Sequence, residues 1–176
     1  MESTIIKKKI CLLGEFGVGK TSLICRFVSN TFDDQYLSTI GVKVSKKIIT
    51  FHKKDDYDIE LQLYIWDIEG FKKKSTITEQ YYSGASGAII VGDITREETL
   101  TSITEIREHF LNTNPDAKLL IAGNKIDLFQ KRPTNRVALI KDISQTFNLD
   151  FFLTSAKTGD NVEKCFKLLS KMLIEN

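Results

Sequence analysis

The stretch that decides the fold runs Gly14-Glu15-Phe16-Gly17-Val18-Gly19-Lys20-Thr21. It follows an apolar run that ends at Leu13 and precedes an amphipathic segment that begins with Leu23. Glycines let successive backbone N–H groups wrap a phosphate, because positive φ is open to them and no Cβ intervenes. The following helix presents its unpaired N-terminal N–H groups to the same anion. We therefore predict a phosphate-binding loop in which Lys20 contacts the β- and γ-phosphates and the Thr21 hydroxyl binds Mg²⁺.

Length and composition are those of an ordinary globular protein. The chain has 176 residues, of which 41% are hydrophobic and 27% charged, so we expect a single domain over residues 1–176. A net charge of +2 is too small to argue for nucleic-acid binding. The cysteines Cys11, Cys25 and Cys165 are widely spaced in apolar patterns, which predicts reduced, buried thiols in a cytoplasmic protein.

The order of apolar runs predicts an α/β fold. Strand patterns alternate with helical patterns, which indicates a doubly wound, mostly parallel, six-stranded sheet with helices on both faces. The runs at 42–51 and 59–66 are joined by a short polar segment and predict an antiparallel hairpin at the sheet edge. A helix is expected to bury a face made of Leu100, Ile103, Ile106, Phe110 and Leu111. Asp160, with Glu163 three residues on, is expected to cap the last helix.

Two short segments after buried strands predict a guanine site. In Asn124-Lys125-Ile126-Asp127, the Asp127 carboxylate can accept hydrogen bonds from the N1–H and the 2-amino group of guanine. Adenine has an acceptor at N1 and no 2-amino group, a mismatch worth on the order of 10⁴ in selectivity. Ser155-Ala156-Lys157 follows the next strand and is expected to close over the base. A nucleotide kinase or ATPase with the same phosphate loop is the alternative, and both segments speak against it.

Three residues are expected to complete a site for a metal and a γ-phosphate. Asp67 ends a strand, from which its carboxylate can reach Mg²⁺ through a water, and Thr39 adds a second hydroxyl. Gly70 can offer its backbone N–H to the γ-phosphate. Loss of that phosphate would release both loops, which is the behaviour of a switch.

Taken together, these motifs resemble the Ras superfamily of small GTPases, and the Rab family most closely. The resemblance covers nearly the whole chain and is carried by residues 14–21, 36–42, 66–70, 81–88, 93–95, 124–127 and 155–157. It implies the P-loop small G domain fold, GTP and GDP as ligands and Mg²⁺ as the metal. It also implies that Phe32 lies against the guanine edge, that Tyr36 covers the phosphates and that Lys125 packs over the base.

The predicted site residues fall into three sets. The expected metal ligands are Thr21, Thr39 and Asp67. The expected catalytic positions are Lys20, Gly70 and Phe71, the last where the family has its glutamine. The expected nucleotide-binding residues are Glu15, Phe16, Gly17, Val18, Gly19, Lys20, Thr21, Ser22, Phe32, Tyr36, Thr39, Gly70, Asn124, Lys125, Asp127, Ser155, Ala156 and Lys157.

Two departures from the family pattern predict weak hydrolysis. Phe71 has no group that can position the attacking water, and loss of one such group costs on the order of 10²–10³ in rate. Phe16 stands where the family has Gly or Ser, and its ring would crowd an inserted arginine worth roughly 10³–10⁵. The alternative is a hydrolysis-deficient, GTP-locked binding module, a pseudo-GTPase. If the protein does hydrolyse GTP, Glu69 is the first candidate for positioning the water.

Partner and location expectations follow from the resemblance. Residues 32–42 and 67–82 would be the two switch segments, and Phe51, Trp66 and Tyr82 part of an apolar surface that faces effector proteins. An exchange factor is expected as a partner, whereas a GTPase activator and nucleic acid are not. The family ends in a tail with one or two prenylated cysteines, and this sequence stops directly after the last predicted helix. Either a tail continues beyond this sequence or the natural protein is unlipidated, so membrane attachment would need such a tail or a partner. We expect a monomer that is cytoplasmic or peripheral on a membrane.

Overall fold

The computed structural model describes residues 3–33, 39–52, 58–70, 76–129 and 135–175. Its strands are β1 (Ser3–Leu13), β2 (Val42–His52), β3 (Asp58–Ile68), β4 (Gly87–Asp93), β5 (Lys118–Asn124) and β6 (Asp150–Leu153). They form one six-stranded sheet in the order β2-β3-β1-β4-β5-β6. β2 pairs with β3 antiparallel and every other neighbouring pair is parallel, which confirms the predicted sheet and its edge hairpin.

Helices cover both faces of this sheet. They are α1 (Lys20–Ser29), α2 (Thr76–Tyr82), α3 (Glu97–Thr101), α4 (Ile103–Thr113), α5 (Asn135–Phe147) and α6 (Val162–Ile174). Apolar residues of α1 and α6 share one core with one face of the sheet, and those of α2 to α5 share a second core with the other face. The strand pattern explains this division, because all residues of β4 are buried, as expected for a strand covered on both sides.

The core beneath α1 and α6 is built around two aromatic rings. Phe27 of α1 stacks on Phe166 of α6 with ring centroids 4.2 Å apart and an interplanar angle of 4°. Cys165 is buried beside them, and desolvation raises the pKa of its thiol to about 12. All three cysteines are free, but Cys25 is only half-buried, so the expected burial is wrong for that residue.

The helix predicted to bury Leu100 and Phe110 is interrupted in the structure. Ser102 separates α3 from α4, although its N–H still donates to the Glu98 carbonyl at 3.2 Å. The buried face itself is confirmed for four of the five predicted residues, since Leu100, Ile103, Ile106 and Phe110 are all 0% exposed. Leu111 is only half-buried.

The cap predicted for the last helix is wrong. α6 begins at Val162, one residue later than an Asp160 cap requires, and Asn161 precedes it with φ 54° and no side-chain cap bond. The Asp160 carboxylate instead accepts a hydrogen bond from Thr158 Oγ1 at 2.7 Å. Glu163 pairs with Lys167 at 2.8 Å rather than folding back on the helix end.

Candidate functional site

The phosphate loop lies at the carboxyl edge of the sheet, between the end of β1 and the start of α1. Its shape depends on glycine, because Gly14 has φ 145° and an added Cβ would lie 2.2 Å from the Val91 carbonyl oxygen. Gly19, directly before α1, has φ 98°. The Lys20 amine donates to the carbonyls of Gly14 and Glu15, each at 2.9 Å. The loop therefore closes around the Lys20 amine.

Lys20 is a buried cation with its pKa displaced. It is 6% exposed, and burial lowers the pKa of its amine to about 8. The charges of Asp67 and Glu15 oppose this shift, while the charge of Arg96 adds to it. Such a cation lacks a full counter-charge, so an anion held in the loop would restore balance.

Two threonine hydroxyls and one carboxylate meet beside the phosphate loop. Thr21 Oγ1 donates to Asp67 Oδ2 at 2.5 Å and lies 2.8 Å from Thr39 Oγ1. Asp67 is 2% exposed, and burial raises the pKa of its carboxyl, although the hydrogen bond from Thr21 lowers it in part. Asp67 Oδ1 is buried without a hydrogen-bond partner in the part of the chain that the structure describes. Hard oxygen ligands with one unsatisfied carboxylate oxygen fit Mg²⁺.

The segments that carry Thr39 and Gly70 are joined to each other. The Glu69 N–H donates to the Gly41 carbonyl at 2.8 Å, and the Glu69 carboxylate accepts from the Gly41 N–H at 3.2 Å. Gly70 packs against the phosphate loop, because an added Cβ would lie 2.7 Å from the backbone nitrogen of Phe16. Phe16 itself is 56% exposed.

The base end of the site is built from two loops that follow β5 and β6. Asn124 Nδ2 donates to the Val18 carbonyl at 2.9 Å, and Asn124 Oδ1 accepts from the Ala156 N–H at 3.3 Å. Ser155 Oγ donates to Asp127 Oδ1 at 2.6 Å. The buried Asn124 thus ties the phosphate loop to the loop that carries Ala156.

Two cavities occupy the groove between these elements. The larger, about 590 Å³, is lined by Phe16, Gly17, Gly19, Lys20, Thr21, Ser22, Cys25, Thr31, Phe32, Asp33, Thr39, Lys43, Ile68 and Gly70. The smaller, about 150 Å³, is lined by Gly19, Ser22, Phe32, Asn124, Lys125, Asp127, Leu128, Ala156 and Lys157. Gly19, Ser22 and Phe32 line both, so the two cavities adjoin.

Most of the predicted site residues that the structure describes therefore lie together. The Val18 side chain is 0% exposed in the core, so this residue reaches the site only through its backbone. Glu15 contributes its carbonyl to Lys20, and Ser155 reaches the site through Asp127. Tyr36 and Phe71 lie outside the described residues, as do the lysines at 72–74.

Sequence reasoning missed several residues of the groove. Lys43 and Leu128 line the two cavities without belonging to any recognisable motif. Arg26 of α1 donates to the carbonyls of Ala156 and Lys157 at 2.8 and 2.6 Å, which supports the loop that carries Ala156. No pattern signals this role, because an arginine on an amphipathic helix is most simply a solvated residue.

The predicted apolar surface of Phe51, Trp66 and Tyr82 is not one surface. Tyr82 is 2% exposed and packs edge-on against Phe110, with ring centroids 5.3 Å apart. Phe51 pairs with Ile59, whose face of the sheet packs with α1 and α6, whereas Trp66 packs with the opposite core. For Phe51 and Trp66 the sequence alone is misleading, because side chains along a strand alternate between the two faces of the sheet.

Comparison with known proteins identifies the class. The model of the Ras family matches residues 9–175, so the chain belongs to the Ras family. Family membership implies guanine-nucleotide and Mg²⁺ binding in general, and Rab-type relatives place the chain among the Rab-like small GTPases.

Three relatives illustrate the likeness. Ras-related protein RABC1 of Arabidopsis thaliana is 39% identical over 170 residues, covering 95% of this chain and 77% of the relative. Ras-related protein Rab-1 of Theileria annulata is 41% identical, with 94% and 73% covered. Ras-related protein SEC4 of Saccharomyces cerevisiae is 36% identical, with 95% and 75% covered. Among the helices that the structure describes, none combines the length and apolar character that a bilayer crossing requires.

Proposed function

We propose that this protein binds GTP and GDP with Mg²⁺ and changes its affinity for partner proteins between the two states. The observation that carries the proposal is the pair of adjoining cavities. One contains the phosphate loop and Lys20, the other contains Asp127 and the Ala156 loop, and both share Gly19. A nucleotide fits such a groove with its phosphates at one end and its base at the other.

Base selection rests on Asp127. Its Oδ1 atom accepts a hydrogen bond from Ser155 Oγ, which fixes the orientation of the carboxylate. A carboxylate held in this way can accept from the N1–H and 2-amino group of guanine, and it would repel the lone pair at N1 of adenine. Lys125 would pack over the base plane and Phe32 would lie at its edge, since both line the smaller cavity.

The phosphate end combines a cation, backbone donors and a metal site. Lys20 would contact the β- and γ-phosphates, and the Gly70 N–H would donate to the γ-phosphate. Thr21, Thr39 and Asp67 would hold Mg²⁺, whose chemical contribution is to neutralise charge that develops on the phosphate oxygens. Thr39 and Gly70 are coupled through the hydrogen bonds between Gly41 and Glu69, so the two segments respond together to the γ-phosphate.

Hydrolysis is expected to be slow. The family glutamine is replaced by Phe71, and Phe16 lines the larger cavity with its backbone against Gly70. The Glu69 carboxylate accepts from the Gly41 N–H, so it would have to give up that bond to position a water. A GTP-locked pseudo-GTPase is the second candidate, and the exposed Phe16 ring is the observation that favours it. It would obstruct the arginine of a GTPase activator.

Partner proteins would bind beside the two switch segments. Trp66 is half-buried with its ring centroid 6.5 Å from that of Tyr81, and Lys9 Nζ lies 3.7 Å from the Trp66 centroid. Val44, which pairs with Trp66 across the β2–β3 ladder, is 48% exposed. This cluster replaces the predicted surface as the expected contact for effectors. An exchange factor would act on a monomeric domain of residues 1–176.

Nucleotide titration tests this function. Binding of GDP, GTP and ADP is measured by calorimetry with Mg²⁺, and we expect the guanine nucleotides to be preferred by on the order of 10⁴. Asp127→Ala should abolish the preference, whereas Asp116→Ala, in an exposed turn at the other end of the sheet, should leave it intact. Limited proteolysis at 32–42 and 67–82 should differ between a GTP analogue and GDP. Equal affinity for ADP, or identical proteolysis, would refute the proposal.

A further inference from the structure

An arginine outside the recognised motifs reaches the phosphate loop. Arg96 directly follows the segment 93–95 and precedes the short helix α3. Its Nη2 atom donates to the Phe16 carbonyl at 2.8 Å, and its Nε atom lies 3.2 Å from Asp93 Oδ2. The resemblance to the family gives this position no role.

The Asp93 carboxylate also contacts a second cation, Lys125, which is bonded to the same phosphate loop. Asp93 Oδ2 also lies 2.8 Å from Lys125 Nζ, which itself donates to the Gly17 carbonyl at 2.8 Å. Burial alone would raise the pKa of the Asp93 carboxyl, but hydrogen bonds from Lys125 and Thr95 outweigh it and hold that pKa below its usual value. One buried carboxylate therefore aligns two cations on two consecutive carbonyls.

The segment that carries Arg96 is firmly supported. The Thr99 hydroxyl accepts from the Asp93 N–H at 2.9 Å and donates to the Arg96 carbonyl at 2.8 Å. Arg136 of α5 donates to the Thr95 carbonyl at 2.8 Å. Arg96 thus extends from a fixed backbone, so its contact with Phe16 constrains the phosphate loop.

The geometry of the peptide bond determines how this contact affects the neighbouring Gly17 N–H. In a trans peptide the C=O and the following N–H point in opposite directions. By holding the Phe16 carbonyl, Arg96 fixes the direction of the Gly17 N–H, which points away from the guanidinium. Gly17 lines the larger cavity and Arg96 does not, so the effect of Arg96 on a ligand would pass through this peptide.

We propose that Arg96 is a positioning residue that orients the Gly17 N–H toward the phosphates of a bound guanine nucleotide. The inference rests on the proposed function, because it presumes a nucleotide in the groove. A donor that is oriented before the ligand arrives avoids the ordering cost on binding. The guanidinium also contributes positive charge near Lys20, which is seen in its effect on the pKa of that amine.

The test measures release of a fluorescent GDP from Mg²⁺-loaded protein. Arg96→Gln should speed release by about three- to tenfold, because the lost charged hydrogen bond is exposed and acts on the nucleotide only through the Phe16–Gly17 peptide. In Arg96→Lys the single amine can reach either the Phe16 carbonyl oxygen or Asp93 Oδ2, but not both. Its release rate should therefore lie between those of the wild type and Arg96→Gln. Arg107→Gln is the matched control, because it removes a guanidinium of α4 that lies 4.1 Å from the centroid of the Phe147 ring rather than one bonded to the phosphate loop, and release should stay at the wild-type rate.

A second measurement separates positioning from general damage. The affinities for GMP, GDP and GTP are compared in the wild type and in Arg96→Gln. The proposal expects a larger loss for GDP and GTP than for GMP, with an unchanged circular dichroism spectrum. Equal losses for all three nucleotides, or wild-type release from Arg96→Gln, would overturn it. Failure of the wild type to bind GDP at all would be visible before any variant and would remove the proposed function together with this inference.

Discussion

Replacement of Asn124 by alanine is expected to weaken both the fold and nucleotide retention. Asn124 is 1% exposed, and its side chain makes three hydrogen bonds: one to the Val18 carbonyl, one from Thr154 Oγ1 and one from the Ala156 N–H. The first bond holds the phosphate loop, and the last holds the loop that carries Ala156. Alanine removes all three hydrogen bonds and leaves the Val18 carbonyl, the Thr154 hydroxyl and the Ala156 N–H without this partner.

The magnitude follows from these bonds. Each contributes about 0.5–1.5 kcal/mol net, so Asn124→Ala should lower the free energy of unfolding by about 1.5–4.5 kcal/mol. For a domain of this size that corresponds to a fall in Tm of roughly 5–15 °C. Because the two loops lose their common support, GDP should dissociate at least about tenfold faster.

Thermal unfolding by circular dichroism and release of a fluorescent GDP measure the two effects. Asn114→Ala is the control, since Asn114 is also buried and donates to the Tyr82 carbonyl at 3.0 Å, far from the groove. It should lower Tm by a smaller amount and leave GDP release unchanged. A Tm within 1 °C of wild type for Asn124→Ala, or equal GDP release from both variants, would refute the reasoning.

Three further perturbations have defined outcomes. Asp127→Asn should lower GDP affinity by about 10²–10⁴ and favour a xanthine nucleotide, because an amide can donate to the xanthine 2-carbonyl, as a competition assay would report. Gly70→Ala should reduce affinity for GTP relative to GDP by about tenfold, because the new Cβ would lie 2.7 Å from the Phe16 nitrogen and push the Gly70 N–H away. Phe166→Ala should lower the free energy of unfolding in urea by about 3–5 kcal/mol, since it removes the stack on Phe27 and leaves a cavity.

Much of the fold was predictable because its signals are local and mutually consistent. The apolar run Gly87–Asp93 is a central parallel strand, and the short joint between β2 and β3 forces an antiparallel hairpin. The predictions failed where a local preference competed with packing. Asp160 is a favourable helix-capping residue in isolation, but in the structure its carboxylate accepts a hydrogen bond from Thr158 Oγ1.

The candidate site was predictable where the residues of a motif line it themselves, as in the phosphate loop and at Asp127. It was not predictable where a residue acts on a backbone carbonyl distant in sequence. Arg26 supports the Ala156 loop and Arg96 holds Phe16 across 80 positions of the chain. Any arginine can reach a carbonyl, so only the folded geometry shows which ones do. The misassigned surface residue Tyr82 likewise depends on helix α2, whose rotation the sequence pattern left open.

Single-turnover hydrolysis tests the central claim most directly. The protein is loaded with GTP and Mg²⁺, and GDP formation is followed by chromatography beside a Phe71→Gln variant and a Phe16→Gly variant. We predict slow hydrolysis in the parent and a gain on the order of 10²–10³ for Phe71→Gln, the value of one positioned polar group. Fast hydrolysis in the parent, equal to that of an active Phe71→Gln variant, would contradict the account, because another group would then position the water.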